Sequence, residues 1–155
     1  MSGWRPRIEA LLAEYAWTLD NDRLEDWAAL FVEDCRYEVL SLENERRGMS
    51  LALFVADNRA MLRDRVRALR GVNKYRLHVD RHLIGPARIM EEAEDTVRLE
   101  ANFCIFESDA EGHTRLFSAG VYRDCLVRAG EAARIKEKRV VVDTFCIPSM
   151  LSTPL

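Results

Sequence analysis

The stretch TVRLEANFCIFE, Thr96 to Glu107, alternates without a break: Val97, Leu99, Ala101, Phe103 and Ile105 fall on one side, Arg98, Glu100 and Asn102 on the other. A period of two over this length marks a β-strand with one face buried, because successive side chains of a strand point to opposite faces. Working outward, Thr114 to Val127 and Ile135 to Phe145 read as two more long strands. Asp109 to Gly112 and Arg128 to Gly130 carry the residues that make the turns between them. Three consecutive long strands joined by short turns make an antiparallel meander. Upstream, Tyr75 to Met90 is strand-like but interrupted by Gly85 and Pro86, which predicts a bulge or bend.

Before Asn73 the period is that of a helix. Arg7 to Asp20 sets Ile8, Leu11, Leu12, Tyr15, Ala16 and Leu19 on one stripe, with Glu9 and Glu14 facing away. Asn21 and Asp22 favour a turn, and Arg23 to Phe31 places Leu24, Trp27, Ala28 and Phe31 on one side of a second, shorter helix. Arg36 to Leu40 alternates as a strand, Glu43 to Gly48 is polar and loop-like, and Leu51 to Val55 is a mixed apolar stretch. A third helix is expected from Asp57 to Arg70, ending near Gly71. Helices gathered at the front and strands at the rear define the α+β class, with a long curved sheet wrapped around the helices. Residues 1–155 fit one domain. The outer face of the sheet is apolar enough to meet another chain.

The 155 residues amount to 17.9 kDa, 48% hydrophobic and 32% charged, with only 7 Gly and 4 Pro, a composition that excludes collagen-like and disordered classes. Lys+Arg number 23 against 26 Asp+Glu, a net charge of −3 that predicts no polyanion partner. Arg59, Arg63, Arg65, Arg67 and Arg70 share a helix with Asp64, which reads as a solvated or subunit-facing surface, not a nucleic-acid face. There is no export signal and no long uncharged apolar run, so the expectation is a soluble, cytoplasmic protein away from membranes. Cys35, Cys104, Cys125 and Cys146 lack a CxxC spacing and read as buried free thiols. The tail from Thr144 to Leu155 has no charge and is rich in apolar residues, so it calls for burial on its own domain or at a subunit boundary.

The sharpest constellation is His78-Val79-Asp80-Arg81-His82. It has the composition of a two-histidine, one-carboxylate metal site, but positions i and i+4 of a strand lie about 13 Å apart, too far for both histidines to reach one ion. One histidine with Asp80 needs a third ligand from elsewhere, and His113 sits in a turn. No cysteine has a histidine two or three positions later, and there is no GxSxG, GxGxxG or Walker-type loop. Acid–base work in a pocket remains, with Tyr15, Asp34, Tyr37 and His82 as candidates.

Leu24-Glu25-Asp26-Trp27, Leu30-Phe31, Asp34 to Val39 and Glu43-Asn44 resemble the first half of the small (beta) subunits of aromatic-ring-hydroxylating dioxygenases. The likeness continues through Met61 to Val66, Ala68-Leu69-Arg70, Asn73, Tyr75 and Arg81-His82, then Phe117 to Asp124 and Val141 to Thr144, covering about residues 8–155. The resemblance implies a cone of the nuclear-transport-factor-like kind, a curved antiparallel sheet packed on N-terminal helices. It implies that the chain carries no catalytic, cofactor or metal residues of its own. The partner would be a large (alpha) subunit, three of each chain, holding a Rieske iron–sulfur cluster and a mononuclear iron. Electrons would come from NAD(P)H through a reductase and in some systems a ferredoxin. Substituted benzoates such as anthranilate, salicylate, halobenzoate or terephthalate are the implied substrates. Asp57, Arg59, Asp64, Arg65, Arg81, His82, Phe145 and Leu151 are the expected contacts to the large subunit. Two other readings stand beside this one. A stand-alone isomerase or dehydratase of the same fold predicts a hollow pocket, whereas a structural subunit predicts an interior filled by Trp17, Trp27 and Phe31 without an ionisable pair at its mouth. An adaptor module predicts an unrelated partner.

Overall fold

A computed structural model describes residues 3–49, 51–72, 78–143 and 154–155, residue 72 by its backbone. The elements run α1 (Trp4–Asp20), α2 (Leu24–Ala29), β1 (Phe31–Ser41), α3 (Leu42–Arg46), β2 (Phe54–Ala56), α4 (Arg59–Val72), β3 (His78–Ile84), β4 (Arg88–Glu92), β5 (Thr96–Asp109), β6 (Thr114–Ala129) and β7 (Ala132–Val142). Helix α1 starts one turn earlier than the apolar stripe indicates, because Trp4 is also buried and its indole N–H donates to the Ala93 carbonyl at 2.9 Å. Asp22 turns the chain at a φ of 56°. Arg70 of α4 holds that turn: its guanidinium donates to Asp22 and Glu25, and its hydrogen bond pulls the Glu25 carboxyl down to about 2. Leu62, Val66 and Leu69 bury the inner face of α4.

The strands form a sheet in the order β2-β1-β7-β6-β5-β3, with β4 also on β5. The long strands β5, β6 and β7 are the expected meander, turning through Gly112 at φ 89° and Gly130 at φ 63°. β3 and β4 lie end to end along the free edge of β5, broken where Gly85 donates to the Asn102 carbonyl. The sheet is mixed and not antiparallel throughout as expected, since β1 runs parallel to β7, a pairing of strands distant in sequence, while the other pairs are antiparallel. Phe31 does not end the second helix; it opens β1 opposite Ile135, after the Ile135 N–H has bonded the Leu30 carbonyl. Tertiary pairing with β7 overrides the helical spacing of Phe31 there. Glu43 to Gly48 is not wholly loop: Ser41 caps the short helix α3 by accepting from the Asn44 N–H. α4 ends near Gly71 as expected, its last residue being Val72.

Curvature brings β6 and β7 together at Gly120. A Cβ at that position would land on the Val141 carbonyl oxygen, so only glycine permits this approach. Gly120→Ala is expected to destabilise the protein by about 3 kcal/mol or more in urea unfolding, from overpacking against backbone that cannot yield. Gly85→Ala, whose Cβ would sit at an ordinary 3.6 Å from the Asn102 carbonyl, is the control expected to stay within about 1 kcal/mol. Equal effects of the two substitutions would refute the close approach.

Candidate functional site: the cone interior and the edge strand

The concave face of the sheet and the helices enclose a cluster of rings. Trp27 of α2 meets Tyr15, Phe31 and Tyr37 edge-on at centroid distances of 6.3, 5.2 and 5.7 Å. Tyr122 stacks on Phe103 at 4.3 Å. Trp17, expected from sequence to join this filling, does not: it is 50% exposed on the far side of α1. Leu155 closes the enclosure: the Tyr15 and Tyr37 hydroxyls donate to its carbonyl at 2.5 and 3.1 Å, and its N–H donates back to Tyr37 at 3.2 Å. Between Trp27, Tyr37, Val39, Phe54, Pro154 and Leu155 a space of about 20 Å³ is left, room for one water and not for an aromatic acid.

Inside the closed cone sits an ion pair that the sequence reading missed. Lys138 Nζ lies 2.9 and 3.2 Å from the two Asp124 carboxylate oxygens, with both side chains withdrawn from solvent. The same ammonium stands 3.7 Å from the Tyr122 ring centroid and 4.1 Å from that of Tyr15. Burial pushes the Asp124 carboxyl up and the Lys138 ammonium down, and their mutual attraction opposes both shifts. The available signal was a charge on the inward phase: Asp124 shares its phase with Tyr122, and Lys138 with Val140 and Val142. Among the described residues, neither side chain of this pair has any surface open to solvent.

The acid–base candidates do not converge. Tyr15 and Tyr37 meet over Leu155, but Asp34 is on the surface, 3.4 Å from Lys136. His82 is buried; its backbone N–H and Nδ1 both contact the carboxylate of Asp20 at the end of α1, the ring at 2.6 Å. That pair ties the edge strand β3 to α1. His78 and Asp80 point the same way as His82 but meet Glu107 of β5, directly opposite Asp80 in register. His113 lies in the exposed β5–β6 turn beside Asp109 and Glu111.

Of the expected contact residues, Asp57 pairs with Arg36, and Arg59 bonds Glu33 and the Phe31 carbonyl. Asp64 pairs with Arg67, and Arg65 lies over the Phe54 ring at 5.3 Å. Arg81 is exposed on the convex face, between Val79 and Leu83, while Phe145 and Leu151 lie outside the described residues. The convex face carries an apolar patch of Val79, Leu83 and Leu116, with Phe106 opposite Leu116 in register. Cys35 and Cys125 are buried free thiols and Cys104 is half-buried; Cys146 is outside the described residues.

A family model described as the ring hydroxylating beta subunit matches residues 14–149. The anthranilate 1,2-dioxygenase small subunit of Burkholderia cepacia is 36% identical over 148 residues, covering 96% of this chain and 92% of that protein. Subunit beta 1 of the terminal oxygenase component of terephthalate 1,2-dioxygenase from a Comamonas species is 31% identical over 149 residues, with coverage of 96% and 97%. Among solved structures, the beta subunit assigned to an aromatic-ring-hydroxylating dioxygenase of Novosphingobium aromaticivorans superposes with a TM-score of 0.89 at 39% identity, covering 97% of this chain and 96% of that one. The chain therefore belongs to the ring-hydroxylating beta subunit family, and its curved sheet on N-terminal helices is that family's nuclear-transport-factor-like cone. It is a small, non-catalytic subunit of an oxygenase, and the stand-alone isomerase reading is the less supported one.

Two predictions concern the interior. Lys138→Met leaves a buried unpaired carboxylate and is expected to cost about 3–5 kcal/mol, while Lys138→Met with Asp124→Leu recovers most of that loss. A double variant no more stable than the single one in denaturant titration would contradict the pair's isolation. The buried phenols of Tyr15, Tyr37 and Tyr122 are held above their ordinary value of 10, chiefly by loss of solvation. Their neutral forms are favoured by the fold, so the unfolded chain releases these protons first. Stability from this source is complete below about pH 10 and is lost as the pH rises beyond it. Ultraviolet titration of the native protein at about pH 11 is expected to show at most one phenolate among the 4 tyrosines; two or more before unfolding would disprove the burial.

Proposed function

We propose that this chain is the assembly subunit of the terminal oxygenase component of a Rieske-type system acting on aromatic acids. The observation that carries the reading is family membership over nearly the whole chain, supported by an interior in which, among the described residues, rings pack together and Leu155 holds the Tyr15 and Tyr37 hydroxyls. The large subunit would hold the Rieske cluster and the mononuclear iron, and three chains of each kind would form the particle. The role of the small subunit is to hold the large subunits so that the cluster of one lies near the iron of its neighbour. NAD(P)H supplies electrons through a reductase, with or without a ferredoxin, in the cytoplasm; no described helix is long and apolar enough to cross a membrane. The anthranilate and terephthalate enzymes among the relatives support a substituted benzoate as the substrate class.

The contact set proposed from sequence narrows with the fold in hand. Asp57, Asp64 and Arg81 present exposed side chains, while His82 is turned inward onto Asp20 and leaves the set. Arg59 and Arg65 stay in it through the rim they form beside β1 and β2, and Phe145 and Leu151 through the apolar character of their segment. The convex patch of Leu83 and Leu116 joins them, since exposed apolar side chains around a charged residue make an interface surface.

Co-expression with a large subunit encoded beside it, followed by size-exclusion chromatography and iron determination, is expected to give a complex of both chains in equal number with all iron in the large one. A chain that elutes alone would overturn the reading. Leu83→Asp with Leu116→Asp is expected to reduce co-purification about tenfold or more while leaving the melting temperature of the isolated chain within a few degrees. Phe145→Asp and Leu151→Asp test the tail better than truncation, because removing Leu155 would also unpair Tyr15 and Tyr37.

A further inference from the structure

Among the described residues, two buried polar atoms at the edge of the sheet have no hydrogen-bond partner: Nδ1 of His78 and Oδ1 of Asp80. Buried polar groups are normally paired, so both side chains keep spare ligating capacity beyond the Nε2–Oδ2 contact they make with each other. His78 and Asp80 are i and i+2 on β3, and Glu107 is the cross-strand neighbour of Asp80 on β5, so the three side chains emerge from one patch of the sheet. One ligand atom from each lies within 4.8 Å of the other two. His78 Nε2 is 3.5 Å from Asp80 Oδ2, too long for a good hydrogen bond but close to the separation of about 3.3 Å between two ligands on one tetrahedral ion. The surroundings are electronegative: besides these carboxylates, Asp20 lies close enough to act on Asp80 through space, and α1 ends there with its carbonyls. The cation now in contact with Glu107 is Arg115, whose guanidinium holds one carboxylate oxygen at 2.9 Å and is itself half-exposed.

We propose that His78, Asp80 and Glu107 form a binding site for one divalent transition-metal ion, with zinc as the best match. An imidazole with two carboxylates suits zinc better than magnesium or calcium, which prefer all-oxygen shells. The site lies between β3 and β5, so the ion clamps the edge strand to the sheet. Three protein ligands leave a fourth position for water. The strand spacing that separates His78 from His82 does not bear on this site, because the third ligand comes from the neighbouring strand. The turn cluster of Asp109, Glu111 and His113 is a different case: it is exposed, and Asp109 already accepts from the Glu111 and His113 N–H groups.

The test is isothermal titration of the chelator-treated full-length chain with zinc chloride, alongside melting temperatures with and without zinc. One equivalent is expected to bind and to raise the melting temperature, and cobalt in its place is expected to show the intense visible bands of a tetrahedral site. His78→Gln and Glu107→Gln, which keep size and hydrogen-bonding capacity, should each weaken zinc binding about tenfold or more, with circular dichroism confirming the fold. His113→Ala should leave binding unchanged. Absence of saturable binding, or binding lost in His113→Ala and kept in His78→Gln, overturns the proposal.

Discussion

An ammonium ion can be held inside a protein only if its charge is met from several sides and water stays out. Lys138 satisfies this through Asp124 on the neighbouring strand and the faces of Tyr15 and Tyr122. The arrangement joins α1, β6 and β7 at one point and requires the rest of the concave face to be closed. Trp27, Phe31, Tyr37 and Phe103 do most of that closing, and Leu155 seals the end through the hydroxyls of Tyr15 and Tyr37. The close approach of β6 and β7 at Gly120 belongs to the same constraint, since it curves the sheet far enough to wrap the cluster.

Among the described residues, the interior of the cone is taken up by packed rings and an enclosed ion pair. The same scaffold with a hollow interior could serve an acid–base enzyme, because it would bring ionisable groups to a bound ligand. Here the ionisable pair is enclosed, and the hydroxyls of Tyr15 and Tyr37 are occupied by the backbone of Leu155. The exterior carries an exposed apolar patch around Leu83 and Leu116 and the charged outer side of α4. The assembly role proposed above calls for a well-packed body, which the ring cluster and the enclosed ion pair supply.

Much of the architecture could be read from periodicity. The alternation from Val97 to Ile105, the stripe from Ile8 to Leu19 and the glycines of the two turns led to the meander, the first helix and the α+β class. The departures have local causes. Phe31 keeps helical spacing with Trp27 but is drawn into the sheet by Ile135, and α3 is too short and too polar to show a periodic face. The parallel pairing of β1 with β7 joins segments a hundred residues apart, a relation no local pattern encodes. Trp17 looked like core because it is a tryptophan, yet its position on α1 faces away from the sheet.

The sequence by itself determined the fold class, the order of most elements and, through blocks such as Met61 to Val66 and Phe117 to Asp124, the family. Those follow from patterns carried by neighbours along the chain. Only the tertiary structure decided that Asp124 and Lys138 meet, that His82 belongs to Asp20 while His78 and Asp80 belong with Glu107, and that Leu155 plugs the cone. Each of these joins residues from different elements. Their distances depend on register, curvature and crossing geometry, and those are set by the packing of the whole chain.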